Sequence, residues 1–97
     1  MNLLKEVLEQ GVWFPTPRSS NIVRLRFLKE SSTLVIQFSS GAHYRYEAVP
    51  ESLVAEMINS PSQGKFFYAR IRSSFPGIKC ESNYVPIIPP PEPQIIK

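Results

Sequence analysis

Asn21-Ile22-Val23-Arg24-Leu25-Arg26-Phe27-Leu28 is the stretch from which the fold can be read. Val23, Leu25 and Phe27 fall on one side of an extended chain and Arg24 and Arg26 on the other, the period-two pattern of a half-buried strand. Thr33–Phe38 repeats it, with Leu34, Ile36 and Phe38 set against Val35 and Gln37. Residues 42–49 repeat it again, with Tyr44, Tyr46 and Ala48 set against His43, Arg45 and Glu47. The connections are short, Lys29-Glu30-Ser31-Ser32 and Ser39-Ser40-Gly41, and the second places glycine where a three-residue hairpin needs positive φ. The spacing therefore predicts a three-stranded antiparallel meander.

A one-residue slip would send apolar groups to the wrong face, so the register can be read as well. Closing the second hairpin at Phe38/Ala42 pairs Ile36 with Tyr44 and Leu34 with Tyr46. Closing the first at Leu28/Thr33 pairs Phe27 with Leu34, Leu25 with Ile36 and Val23 with Phe38. The large apolar groups then share one face. The other face shows the rows Arg24, Gln37, His43 and Arg26, Val35, Arg45, and reads as open, polar and cationic.

The apolar face needs a cover. Pro50 opens a helix that carries Leu53, Val54, Met57 and Ile58 on one side and Glu51 and Glu56 on the other. Ser60-Pro61-Ser62-Gln63 is a second start signal, with Ser60 as N-cap, and the helix it opens places Phe67, Ile71 and Phe75 on a buried stripe before Pro76-Gly77 ends it. Residues 1–10 form a further amphipathic helix with Leu3, Leu4, Val7 and Leu8 on one face, stopped at Gly11. The expected architecture is α+β: the meander covered on one face by two helices, with an extra N-terminal helix and an extended tail. It divides into a helix and connector at 1–17, an α+β domain at 18–79, and a tail at 80–97.

Composition narrows the function classes. The chain has 97 residues and 10 prolines, and Pro86, Pro89, Pro90, Pro91 and Pro93 crowd its end. The net charge of +3 conceals a core: residues 18–79 carry nine basic residues against four acidic ones. No apolar run is long enough for a membrane span, and the start lacks a secretion signal, so no membrane partner and a cytoplasmic location are expected. A single cysteine, a single histidine and the absence of aspartate leave no ligand set for a metal, and no cofactor is expected. Cys80 and His43 offer no nucleophile–base arrangement, so the reading is of a protein without catalytic residues.

Ser19-Ser20-Asn21-Ile22, the strand ending Phe38-Ser39-Ser40-Gly41, Tyr44-Arg45-Tyr46, Val49-Pro50, and Ser62-Gln63-Gly64-Lys65-Phe66-Phe67 through Ile71-Arg72 together resemble the KTSC domain. The resemblance spans residues 19–76. Where that family often has a polar residue after the paired aromatics, this chain has Tyr68. The family is named after the C-terminal segment of some bacterial lysyl-tRNA synthetases and also occurs as small free-standing bacterial and phage proteins. The resemblance implies no catalytic activity, and the association with synthetases implies RNA as a partner.

Two surfaces are candidates for that partner or another. Arg24, Arg26 and Arg45 on the sheet, with Lys65, Tyr68, Arg70 and Arg72 on the last helix, suit RNA or single-stranded nucleic acid, the cations meeting phosphates and the tyrosine stacking on a base. A solvated sheet face explains the arginines equally. Ser62, Gly64, Lys65 and Arg72 read as an anion site or as cap and packing residues. Tyr44 and Tyr46 read as core tyrosines or as stacking rings. Trp13 and Phe14 read as core contacts or, with Ile87 and Ile88 of the proline-rich tail, as the contact surface of a protein partner. The tail is expected to dock in extended form on its own domain, on a second copy or on that partner.

Overall fold

A five-stranded antiparallel sheet forms the centre of the molecule, its strands following one another in chain order. The computed structural model describes residues 3–16 and 19–84. Helix α1 (Leu3–Gln10) leads to β1 (Phe14–Pro15), β2 (Ile22–Leu28), β3 (Thr33–Phe38) and β4 (His43–Tyr46). Helix α2 (Glu51–Asn59) follows, then α3 (Gln63–Phe66), which widens into a π-helical turn over Phe67–Arg72, then β5 (Gly77–Cys80). The tail residues Ile87 and Ile88, and the prolines around them, lie outside the described residues.

The three central strands and the second hairpin are as the alternation predicts: Leu34 pairs with Tyr46, Ile36 with Tyr44, and Phe38 N–H donates to Ala42 O at 2.9 Å. The first hairpin keeps its expected register from Leu28/Thr33 to Arg24/Gln37 and then departs from it. A bulge pairs Ile22, not Val23, with Phe38, so Ile22 is buried and Val23 is 45% exposed. Buried Thr16 secures the bulge: its hydroxyl donates to Ile22 O at 2.7 Å and its N–H to Val23 O at 3.0 Å.

Other expectations are corrected. The sheet has five strands rather than three. β1 is two residues long and contains a proline, which is tolerated because it lies on an edge. β5 joins β4 at the other edge. The third strand ends at Tyr46, and Ala48 takes a left-handed conformation with φ 62° at the surface instead of continuing the apolar face. The helix after Ser60 starts two residues later than its sequence signal, with Ser62 at the cap position. Ser60 is the C-terminal cap of α2, and its Oγ accepts the N–H of Ser62 at 3.0 Å. Gln63, read as a capping side chain, is fully buried and donates to Ile58 O at 3.1 Å, tying the start of α3 to the end of α2.

All three helices feed one core. Val7 and Leu8 from α1, Val54, Met57 and Ile58 from α2, and Phe67 and Ile71 from the last helix close over Leu25, Phe27, Leu34, Ile36 and Tyr46. Tyr46, 3% exposed, meets Phe67 edge-on with centroids 5.2 Å apart, as favours two aromatic quadrupoles. Phe38 and Tyr44 meet in the same way at 5.8 Å. Both strand-β4 tyrosines thus face the helices, the first of the two readings open to them.

Gly77 enables this packing. A Cβ at that position would sit 2.8 Å from Tyr46 Cε2, and the ring is held from behind by Phe67. Gly77→Ala is expected to cost about 1–3 kcal/mol by overpacking, measured by urea denaturation; an unchanged midpoint would contradict the contact. Burial pushes the Tyr46 hydroxyl up to about 12 from its ordinary 10.0, against the opposing pull of Arg72. Because the folded-state value is the higher one, this contribution to stability is complete below pH 10 and is lost as pH climbs through about 12. Unfolding free energy should therefore fall across that window, and Tyr46→Phe should flatten the fall.

Candidate functional site

The sheet face expected to be open is covered. Register aligns Arg24, Gln37, His43 and Cys80 in one row and Arg26, Val35, Arg45 and Ile78 in the next. Trp13 folds back from the entry to β1 over these rows: its ring centroid lies 3.8 Å from the Arg24 guanidinium carbon and 5.1 Å from that of Arg26. It also meets His43 edge-on at 6.1 Å. From the other side Tyr84 covers Arg45 at 4.6 Å, and its carbonyl accepts Arg26 Nη2 at 2.6 Å. Val35, at the centre of this face, has no exposure at all. A guanidinium over an aromatic face is attracted by the ring quadrupole and keeps its edge free for hydrogen bonds.

Those edges are used. Arg24 Nε donates to Gln37 Oε1 at 2.6 Å, and Arg45 Nε donates to Glu47 Oε2 at 3.1 Å. Among the described residues, Arg26 Nε and His43 Nε2 are buried without a hydrogen-bond partner. Desolvation lowers the Arg26 pKa, with Cys80 opposing and Arg24 adding to the shift. Burial pushes the Cys80 thiol up, against the pull of Arg45 and Arg26, so its environment does not favour a reactive thiolate. The three sheet arginines are therefore engaged inside the molecule. Trp13 belongs to this second layer. Its neighbour Phe14 pairs with Leu25 and packs against the helical core.

The last helix carries the other nominated residues outward. Arg70 is engaged as well, 3.5 Å from Glu56 and 5.2 Å from the Phe66 ring. Lys65 and Arg72 differ: both are exposed, and among the described residues neither forms an ion pair with a carboxylate. Between them stands Tyr68, 39% exposed, with the Arg72 guanidinium 5.5 Å from its ring. Within the π-helical turn Phe67 and Ile71 are buried, while Tyr68 and Arg72, each one residue on, are exposed.

Tyr68 forms a ridge between two surface grooves. One, of about 850 Å³, runs between the turn entering β2 and the start of α3, with Lys65 on its rim. The other, of about 510 Å³, is bounded by Phe38, Tyr44, Tyr68, Arg72 and Phe75. Of the residues proposed from sequence for nucleic acid, the structure thus brings Lys65, Tyr68 and Arg72 together on one exposed strip. It separates them from Arg24, Arg26 and Arg45 across the thickness of the sheet. Gly64 has a packing role: a Cβ there would lie 2.7 Å from Ser19 Oγ. Sequence reasoning missed Tyr84, which stands in the tail with no periodicity around it. It also missed the groove residues Ser20 and Asn21 as candidate contacts; both fall within the first motif of the resemblance.

Comparison with known proteins places this geometry. Residues 18–75 match the KTSC domain. The chain is similar to the lysine–tRNA ligase of Trichormus variabilis, 36% identical over 59 residues that make up 61% of this chain and 10% of that enzyme. It spans about a tenth of the length of such ligases. A protein of Stutzerimonas stutzeri is 42% identical over 50 residues, 52% of this chain and 70% of its own. The crystal structure of a KTSC domain protein from Yersinia pestis aligns with a TM-score of 0.67 at 28% identity, over 72% of this chain and 97% of the other.

Trp13 and Tyr84, which cover the cationic face, both lie outside the matched segment. Trp13→Ala is expected to lower the unfolding free energy by about 2 kcal/mol, through lost ring burial and lost guanidinium stacking. Thermal unfolding checks this, and an unchanged Tm would contradict the cover.

Proposed function

This chain belongs to the KTSC domain family, and from that premise we propose that it is a small non-catalytic module that binds single-stranded RNA along the outer strip of its last helix. The observation that carries the reading is the state of the cations. Arg24, Arg26, Arg45 and Arg70 are already stacked, hydrogen-bonded or ion-paired within the molecule. Lys65 and Arg72 are exposed, lack a carboxylate partner among the described residues, and flank Tyr68, over whose ring the Arg72 guanidinium lies. A single strand passing from one groove over Tyr68 into the other meets a lysine, a stacking platform and an arginine in that order, the alternation of charge and ring that such strands require.

The lysine–tRNA ligases carrying a similar segment act on an RNA, which supports RNA as the partner class. A protein partner at Trp13 and Phe14 is less well supported, because both rings are occupied within the fold.

Each phosphate neutralised on a single strand contributes about 0.7 to the slope of log affinity against log salt. Titrating a labelled oligoribonucleotide at several salt concentrations should give a negative slope. Lys65→Ala should reduce that slope by about 0.7, and Tyr68→Ala should weaken binding about tenfold, the loss of one stacked base, with little change in slope. Binding that survives in a Lys65→Ala/Arg72→Ala variant with its salt slope intact would contradict this site.

A further inference from the structure

The groove that Lys65 overlooks is built of groups that phosphate binding does not require. Its walls include Ser19, Ser20, Asn21 and Ser62, and none of its lining residues is acidic. Phosphate oxygens need only donors and a base face needs only a ring, whereas serine hydroxyls and an asparagine amide both donate and accept. Within the sugar–phosphate backbone, the group that does the same is the ribose 2′-hydroxyl.

The local geometry presents two of these residues, Ser20 and Asn21, to solvent. Ser19 Oγ accepts the N–H of Ile22 at 3.0 Å and of Asn21 at 3.3 Å, so its oxygen is turned toward the chain. Those two bonds shape the turn that presents Ser20 and Asn21, both exposed, to the groove. Asn21 is held from the other side, its carbonyl accepting Ser39 N–H at 2.8 Å, so the side chain projects from a fixed backbone.

We infer that this groove is a ribose subsite that makes the protein select RNA over DNA of the same sequence. The inference rests on the reading that Lys65 and Arg72 hold the phosphates while Tyr68 stacks a base. In that pose the sugar attached to the stacked base lies beside Ser20 and Asn21, and a deoxyribose forgoes the hydrogen bond that a 2′-hydroxyl makes with them.

Fluorescence anisotropy titrations of the full chain with an oligouridylate, and with the deoxyuridylate oligomer of equal length, at low salt test this. The RNA should bind about fivefold more tightly, the worth of one hydrogen bond. Ser20→Ala/Asn21→Ala should bring the two affinities together by weakening RNA alone, with Tm unchanged, while Lys65→Ala should weaken both alike. Equal affinities of the unsubstituted protein would overturn the ribose subsite and leave the backbone reading standing, as would an RNA preference that persists in the double variant. Absence of binding to either oligomer would overturn both.

Discussion

The stacking of Trp13 on Arg24 and Arg26, 3.8 and 5.1 Å from its centroid, is the interaction on which the character of the molecule depends. A small sheet with helices on one side ordinarily leaves its other side to water. Here that side holds Val35 at its centre, fully buried, and three arginines beside it. A ring with an apolar edge and an electron-rich face can cover both kinds of neighbour, which a leucine could not. Tyr84 does the same for Arg45. The sheet is thus covered on both sides, by helices on its apolar face and, over Val35 and the three arginines, by two aromatic rings on its cationic one, while Ile78 at the β5 edge stays 38% exposed.

That second layer redistributes the available charge. Nine basic residues in the central segment suggest a broad cationic surface, but cations stacked beneath rings and bonded to Gln37, Glu47 and the Tyr84 carbonyl are poor partners for phosphate. Of the cations on the outer helix, Lys65 and Arg72 are left without a carboxylate partner among the described residues. There Phe67 and Ile71 lie in the core while Tyr68 and Arg72 stand outward. The same helix therefore completes the core and carries the strip proposed to meet RNA, and the Tyr46–Phe67 packing beneath it sets where that strip stands.

Much of the fold was legible because alternation and helical spacing are strong signals. The three central strands, the second hairpin and the buried helix residues Val7, Leu8, Val54, Met57, Ile58, Phe67 and Ile71 follow from where apolar residues recur, whereas Phe75, expected on the same stripe, lies beyond the helix end at Arg72 and is half-buried. What escaped was governed by contacts remote in sequence. The bulge at Ile22 depends on the Thr16 hydroxyl, and no local pattern announces it. β1 is too short to show a period, and Gly77-Ile78-Lys79-Cys80 has too little alternation to declare a strand. Ser60 looked like an N-cap because Pro61 and Gln63 follow it, yet burial of Gln63 against Ile58 moved the helix start to Ser62. At the site, Lys65, Tyr68 and Arg72 could be found by spacing alone. The engagement of Arg24, Arg26 and Arg45 could not, since one covering ring precedes the strands and the other follows them.

The central claim is a division of labour between the two faces: the sheet arginines are structural, and the helix strip makes the contact. Mapping backbone amide shifts by NMR as a short oligoribonucleotide is added tests it directly. The account predicts shifts at residues 19–21 and 62–72, with the Trp13 indole and the amides of Arg24, Arg26 and Arg45 unmoved. Shifts centred on β2 and β4, accompanied by displacement of the Trp13 indole signal, would contradict it.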